Sequence, residues 1–203
     1  MDTSLLRLSA AAGIICGAAI ALAGALETAI GHKVGVTQIL NGASVPFGLG
    51  LLVGLYLWQR GAAGRFGLVA FVLQFLGFGY FAGIAYTRNA VLVYLDEPVL
   101  DALLDGPSRL AFLATALLAL AGTVAFGAAM WRAGAVPKAA VALYVLGLSA
   151  LCLTFLLPAP IVRLGHIAGG AGMVWLALTL WRAAAASRRS RPLGHEMDTC
   201  LDG

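Results

Sequence analysis

The feature that most constrains the fold is an apolar run near the start of the chain, Leu5 to Ile30, which is 26 residues long. Only Arg7 and Glu27 are charged within it. At about 1.5 Å per residue a helix of this length measures about 39 Å, which is enough to cross a hydrocarbon core of about 30 Å. The run therefore predicts a transmembrane helix with one acid near its end.

Small residues in this run follow a helical spacing that leads to Glu27. Gly13, Gly17, Ile20, Gly24 and Glu27 are separated by steps of four, three, four and three residues, which places them on one helix face. A face rich in glycine lets a neighbouring helix approach closely. We therefore expect Glu27 to face other helices, where a carboxylate needs a partner or a water-filled cavity.

Two interpretations of Glu27 are open from the sequence. In the structural one, Glu27 pairs with an arginine of another helix, Arg163 or Arg109, and holds two helical hairpins together, or its carboxylate reaches into the head groups. In the functional one, the carboxylate handles protons or binds a ligand.

Composition excludes an ordinary soluble domain. The 203 residues are 61% hydrophobic and only 11% charged, with a mean hydropathy of +0.94, which leaves too little polar surface to cover a soluble fold. The net charge of +4 does not indicate nucleic-acid binding, because the basic residues sit at predicted helix ends, where they act as orientation signals. We predict no nucleic-acid partner and a chain embedded in a lipid bilayer.

The apolar segments predict an all-α polytopic bundle of six transmembrane helices, arranged as three hairpins closed on the outer side. Pro46 lies inside the second span and predicts a kink there. This transmembrane domain covers residues 1–182, and a mobile, basic and polar cytoplasmic tail covers 183–203. The six predicted spans are Leu5–Ile30, Thr37–Trp58, Arg65–Thr87, Ser108–Trp131, Pro137–Leu157 and Ile161–Trp181.

The basic residues predict the orientation of the bundle. With the N-terminus inside, nine Lys and Arg residues fall on the inner side and four on the outer side. By the positive-inside rule, both termini are cytoplasmic. The richness in Ala, Gly, Leu and Arg is similar to that of proteins from bacteria with GC-rich genomes, so we expect a multi-pass protein of the bacterial cytoplasmic membrane.

One connection, between the third and fourth spans, is long enough to hold a helix of its own. Asp96 can act as its N-cap, Glu97 and Pro98 fill the first turn, and Gly106 with Pro107 ends it. Its apolar and acidic residues separate onto opposite faces. The pattern predicts a short helix lying on the outer leaflet.

Two basic turns, 58–65 and 131–138, align without a gap and indicate an internal repeat. Each begins with a Trp, a residue that favours the membrane surface. The second turn, Trp131-Arg-Ala-Gly-Ala-Val-Pro-Lys138, resembles the inner loops of small six-helix bacterial integral membrane proteins of unknown function. The resemblance covers the fourth to sixth helices; it implies the fold and no particular reaction.

Polar residues of the predicted helices gather near the outer side. Arg163 and His166 lie one turn apart on the sixth helix, at nearly the same depth as Glu27. They can therefore meet Glu27 if the first and sixth helices touch. Gln74 lies near mid-membrane, where it either forms the floor of a pocket or hydrogen-bonds a neighbouring helix. The predicted ligand-binding residues are Glu27, Gln74, Tyr80, Arg109, Arg163 and His166. Other polar residues that need an explanation, without an assigned role, are His32, Gln38, Asn41 and Arg88.

Three functions fit this pattern. The leading hypothesis is an outward-facing polar pocket that binds or transports a small or lipid-like ligand. The second is an intramembrane enzyme acting on a lipid or isoprenoid, with Glu27 as general acid or base and His166 as its partner. The third is a non-catalytic subunit of a membrane complex, with the glycine face as its interface to a second copy or to another membrane protein.

The sequence predicts neither a metal site nor a cofactor. Cys16, Cys152 and Cys200 are widely spaced, so we expect free thiols. A haem held by two histidines would need His32 and His166 at facing positions, and His32 lies in a loop flanked by glycines.

Overall fold

The computed structural model describes residues 3–189, and the predicted all-α fold is confirmed, because this part of the chain contains helices and no strand. A short 3-10 turn, Leu92–Tyr94, separates the third and fourth α-helices. The α-helices are α1 (Thr3–Ile30), α2 (Gly35–Ala43), α3 (Val45–Ala90), α4 (Glu97–Asp105), α5 (Pro107–Ala133), α6 (Lys138–Cys152) and α7 (Ala159–Arg189).

Helix α3 is folded back on itself at Gly64. The backbone there has φ 58° and ψ −153°, a conformation that glycine adopts without the clash a Cβ would bring. The rings of Tyr56 and Phe71 stack with their centroids 4.4 Å apart, whereas an unbroken helix would separate these residues by about 22 Å. The first arm of α3 (45–63) and the second arm (65–90) therefore run side by side in opposite directions.

Four helical segments are long and apolar enough to cross a membrane: Thr3–Ile30, Gly35–Tyr94, Pro107–Ala133 and Ala159–Ser187. The second of these contains the reversal at Gly64. Helix α6 is apolar but has only 15 residues, or about 22 Å at 1.5 Å per residue. The predicted fifth span, Pro137–Leu157, is thus wrong at its end, because the chain leaves the helix after Cys152.

The glycine face of α1 packs against α7, and these two helices share the most extensive contact in the fold. A Cβ on Gly17 would lie 2.6 Å from the carbonyl oxygen of Gly170, and one on Gly24 would lie 2.6 Å from Cβ of His166. Small residues are therefore required for this approach. The face is filled within the chain, so a partner protein would have to use another surface.

Two other helix pairs also approach each other closely at a glycine. A Cβ on Gly77 of the second arm would meet the backbone of Ala119 of α5 at 2.7 Å, and Gly147 of α6 lies directly against Gly169 of α7. Residues of the connections 31–34, 91–106 and 153–158 line one cavity, and we call this part of the bundle the cavity end. Arg132, before the turn 134–137, lies over the ring of Phe66, just after the reversal at Gly64, and we call this part the basic end.

Several details differ from the sequence-based expectations. The interruption expected at Pro46 occurs just before it, where α2 ends and α3 begins at Val45. Helix α5 begins at Pro107, after Gly106. The predicted helix after Asp96 is present as α4, and none of its residues is buried. Helix α7 continues through 183–189, into the segment predicted as a tail, and the rest of that tail, 190–203, lies outside the described residues.

Candidate functional site

A cavity of about 1120 Å³ lies at the cavity end of the bundle. Its wall is built from all seven α-helices together with the loop 31–34 and the non-helical link 153–158. The polar and charged side chains that line it are Glu27, Lys33, Asn41, Arg88, Asn89, Asp105, Arg109, Thr154, Arg163 and His166.

Glu27 and Asn41 form the most buried polar contact of this wall. Asn41 Nδ2 donates a hydrogen bond of 3.0 Å to Oε1 of Glu27, and only 2% of the surface of Glu27 and 5% of that of Asn41 is exposed. This assignment of the amide is the favourable one, because its reversal would put the amide oxygen against a carboxylate. The other amide atom, Asn41 Oδ1, has no hydrogen-bond partner within residues 3–189.

The local sequence explains why these two residues meet. Gly31, with φ 89°, ends α1 directly after the turn that holds Glu27. Thr37 then fixes the start of α2, because its hydroxyl accepts from the backbone N–H of Val34 at 3.1 Å and donates to the carbonyl of Val34 at 2.9 Å. This tight turn returns the chain beside α1 and places Asn41 at the depth of Glu27.

Helix α7 contributes a cation and an imidazole. Arg163 Nη2 donates to the carbonyl oxygen of Gly31, so the guanidinium is tied to the loop after α1 and keeps further N–H donors. His166 Nδ1 lies 2.9 Å from the carbonyl oxygen of Val162. A carbonyl only accepts, so Nδ1 carries the proton and, in the neutral imidazole, Nε2 is free to act as an acceptor.

The structural pairing predicted for Glu27 differs from the contact observed among residues 3–189. Arg163 bonds the Gly31 carbonyl, and the carboxylate is bonded by Asn41 instead of an arginine. None of the side-chain hydrogen bonds among the described residues involves Arg88 or Arg109. Both arginines are exposed at the cavity wall.

The charged residues give the cavity a positive balance. Lys33, Arg88, Arg109 and Arg163 face Glu27 and Asp105, and four basic side chains against two acidic ones leave a formal charge of +2 with His166 neutral. Lys33 is exposed, yet the surrounding protein lowers its pKa by desolvation; the nearby Glu27 carboxylate opposes this shift and Arg88 adds to it. Such a balance attracts anions.

The remainder of the wall is apolar and continues to the outside of the bundle. Phe112 and Leu113 come from α5, and Phe155 and Leu156 come from the link after α6. Leu156 is 70% exposed and Phe155 53%. Because α6 stops short, the cavity borders on this exposed apolar surface between α5 and the link.

Two of the predicted binding residues lie elsewhere. Gln74 is fully buried; its Nε2 donates to the hydroxyl of Tyr144 at 2.8 Å, and its Oε1 accepts from Thr123 at 3.2 Å. This bonding joins the second arm to α5 and α6, which is the alternative the sequence left open for Gln74. Tyr80 is 64% exposed and lines a separate hollow of about 610 Å³ between the second arm and α5.

Of the predicted residues, the structure brings Glu27, Arg109, Arg163 and His166 to one cavity. Their roles as ligand-binding or catalytic groups stay predictions. Sequence reasoning assigned no role to Lys33, Asn41 or Arg88, which also line it. The available signal for Asn41 was its position two turns into a helix that follows a tight turn after Glu27.

The cavity thus combines a buried acid and an unpaired amide oxygen with several cations and an apolar side wall. This set can bind a ligand that has both donor and anionic groups, and it can also hold a proton at Glu27 or at His166 Nε2. Comparisons of the chain with protein-family models, with curated proteins and with solved structures found no match.

Proposed function

We propose that this chain is a multi-pass protein of the bacterial cytoplasmic membrane that binds or moves a small or lipid-like ligand in an outward-facing cavity. The observation that carries the proposal is the Glu27–Asn41 pair. Burying a carboxylate whose hydrogen-bond partner is neutral costs free energy in an apolar bundle. Burying an amide oxygen that has no hydrogen-bond partner costs free energy as well. A bound ligand that supplies donors would satisfy both.

The proposal includes six passes, with both termini in the cytoplasm and the cavity on the outside. It is supported by the reversal at Gly64, which divides α3 into two antiparallel arms, and by the basic residues at the basic end. There, Lys138 lies over the ring of Trp131 at 5.4 Å and Arg132 over that of Phe66 at 5.3 Å. Such pairs of cations and aromatic rings suit the interface facing the cytoplasm.

The orientation is tested by labelling single cysteines in intact cells with a maleimide that does not cross membranes. Cys16, Cys152 and Cys200 would first be replaced by alanine. Asp101→Cys, on the exposed surface of α4, should be labelled, and Ala135→Cys, in the turn at the basic end, should be labelled only after the cells are opened. The reverse pattern would overturn the proposed orientation.

Ligand binding is tested by mass spectrometry of the small molecules and lipids that co-purify in mild detergent. We expect a specific compound with the wild type that is lost from Glu27→Gln, because this substitution removes the charge and keeps the shape and the acceptor for Asn41. Glu97→Gln makes the same chemical change on the exposed surface of α4 and should retain the compound. If all three preparations carry the same bulk lipids, the proposed cavity function is wrong.

A second candidate function is acid–base catalysis on a lipid or isoprenoid. The observation that favours it is the tautomer of His166, whose Nε2 is left free on the wall that also holds Glu27. In this function the two residues would exchange protons with a substrate held between them. The test is whether the co-purifying compound is converted to a product by the wild type and stays unchanged in His166→Gln.

A further inference from the structure

The polar and apolar parts of the cavity are separated, and this separation bears on the chemistry of the ligand. The identity of this ligand rests on the function proposed above, since the same cavity binds it. Three regions of the wall differ: the buried Glu27–Asn41 pair, the cations of α3, α5 and α7, and the apolar border between α5 and the link 153–158.

The Glu27–Asn41 region requires hydrogen-bond donors. Asn41 Oδ1 is unpartnered within residues 3–189 although Asn41 is 95% buried, with 5% of its surface exposed. The carboxylate beside it is hydrogen-bonded by a neutral amide, so a cationic donor in the cavity can still pair with its charge. A primary ammonium group supplies both a positive charge and three N–H donors. A quaternary ammonium supplies the charge alone.

The second region requires an anion. Arg88 and Arg109 are exposed on the wall, and Arg163 is anchored by the Gly31 carbonyl with N–H groups to spare. Guanidinium groups bind phosphate or carboxylate with paired hydrogen bonds. Since Glu27 lies on α1 and Arg109 on α5, the acid and this cation approach a ligand from different helices.

The third region is apolar and exposed to the side of the bundle. Leu113 of α5 and Phe155 and Leu156 of the link line the cavity and are also exposed outward. In a membrane this surface faces hydrocarbon. A ligand with acyl chains can leave them there while its head group lies among the charged residues.

We infer that the ligand is a zwitterionic amphiphile with a primary ammonium group and a phosphate. The ammonium lies against Glu27 and Asn41, the phosphate lies among Arg109, Arg163 and the neighbouring cations, and the acyl chains pass between α5 and the link 153–158. The same head-group chemistry occurs in free zwitterions, and the apolar side wall favours the lipid.

The test is native mass spectrometry of the purified full-length protein, titrated with three dioleoyl lipids that share a phosphate. Phosphatidylethanolamine has a primary ammonium, phosphatidylcholine a quaternary one, and phosphatidylglycerol none. We expect the first to bind about tenfold more tightly than the other two, as for the gain of charge-assisted hydrogen bonds. Equal binding of the three lipids, or tightest binding of phosphatidylglycerol, would overturn the inference.

Two variants separate the two ends of the head group. Glu27→Gln should remove the preference for phosphatidylethanolamine and leave phosphatidylglycerol binding unchanged. Arg109→Gln should weaken both lipids alike, and because Arg109 is exposed this variant is expected to fold. The matched controls are Glu97→Gln and Arg60→Gln, both outside the cavity, which should behave as the wild type. If neither cavity variant alters any lipid, the inference is wrong.

A competition experiment separates a lipid from a free zwitterion. Glycerophosphoethanolamine has the same head group without acyl chains, and it should fail to displace the lipid at equal concentration. Equal competition would overturn the choice of an amphiphile. Co-purification of a different compound that depends on Glu27 would overturn this inference and leave the proposed cavity function intact, whereas no compound depending on Glu27 would remove both.

Discussion

Asn41 Nδ2 and Glu27 Oε1 are joined by a hydrogen bond of 3.0 Å that ties α2 to α1 inside the bundle. The contact pairs a charged acceptor with a neutral donor and leaves the second amide atom of Asn41 unpaired within the described residues. Substitutions of these two residues therefore allow the free energy of unfolding and the binding of a ligand to be measured separately.

The first prediction concerns the stability of this pair. Glu27→Leu should lower the free energy of unfolding by about 1–3 kcal/mol, because the amide of Asn41 loses its acceptor. Glu27→Gln retains an acceptor and should stay close to the wild type. The double variant Glu27→Leu/Asn41→Leu should recover much of the loss, since removing both partners leaves no unpaired polar group at this contact. Unfolding in detergent, followed by circular dichroism, measures these differences; losses that simply add would contradict the coupling.

The second prediction concerns the approach of α1 to α7. Gly17→Ala places a Cβ 2.6 Å from the carbonyl oxygen of Gly170 and 2.9 Å from Cβ of Met173. Overpacking of this kind should destabilise the protein by about 1–3 kcal/mol. Gly83→Ala is the matched control, because no atom lies within 4 Å of its added Cβ. Similar unfolding temperatures for the two variants would show that the helices can move apart without cost.

The packing of α1 could be predicted because its glycines and Glu27 lie on the same helix face. Gly13, Gly17, Gly24 and Glu27 repeat at helical spacing, and only a helix in close contact makes use of that pattern. The depth of Glu27, Arg163 and His166 could also be counted along the chain. Whether α1 and α7 touch depends on the whole bundle, so the sequence could state this only as a condition.

The end of α6 could not be predicted from hydropathy. The chain stays apolar through Leu157, and the evident stop signal is Pro158. The helix nevertheless ends at Cys152, and 153–157 form turns in which Leu153 accepts from the backbone N–H of Leu156 at 2.9 Å. An apolar segment in lipid gives no local sign of this change, although it creates the side wall of the cavity.

The face of the second arm that packs against other helices could not be predicted from the sequence either. Apolar residues occur on all sides of this arm, so its sequence does not show which face meets other helices. Gln74 turns towards Thr123 and Tyr144, where its amide is fully bonded, and Tyr80 turns outward. Polar residues in such a helix can be recognised from sequence, but their partners depend on the neighbouring helices.

The third prediction concerns Gln59, at the basic end of the first arm. Gln59 is 2% exposed, and neither atom of its amide has a hydrogen-bond partner within residues 3–189. Gln59→Met keeps a similar shape without the polar atoms and should raise the free energy of unfolding by about 1–3 kcal/mol. Gln38→Met, at a half-buried site, serves as the control. A lower unfolding temperature for Gln59→Met would show that the amide is bonded in the protein.

The fourth prediction concerns pH. Desolvation lowers the pKa of Lys33, with Glu27 of α1 opposing the shift and Arg88 of α3 adding to it, and His166 of α7 faces the same group. As pH rises through a lowered pKa, Lys33 loses its charge earlier than an ordinary lysine does, so anion binding should weaken by up to about fivefold below pH 10.4. Binding of dioleoyl-phosphatidylglycerol between pH 7 and 10 measures this loss. Lys33→Arg stays charged and should abolish the weakening of binding with rising pH. The control Lys138→Arg, at the basic end, should show the same weakening as the wild type. A flat profile in the wild type would place Lys33 outside the anion site.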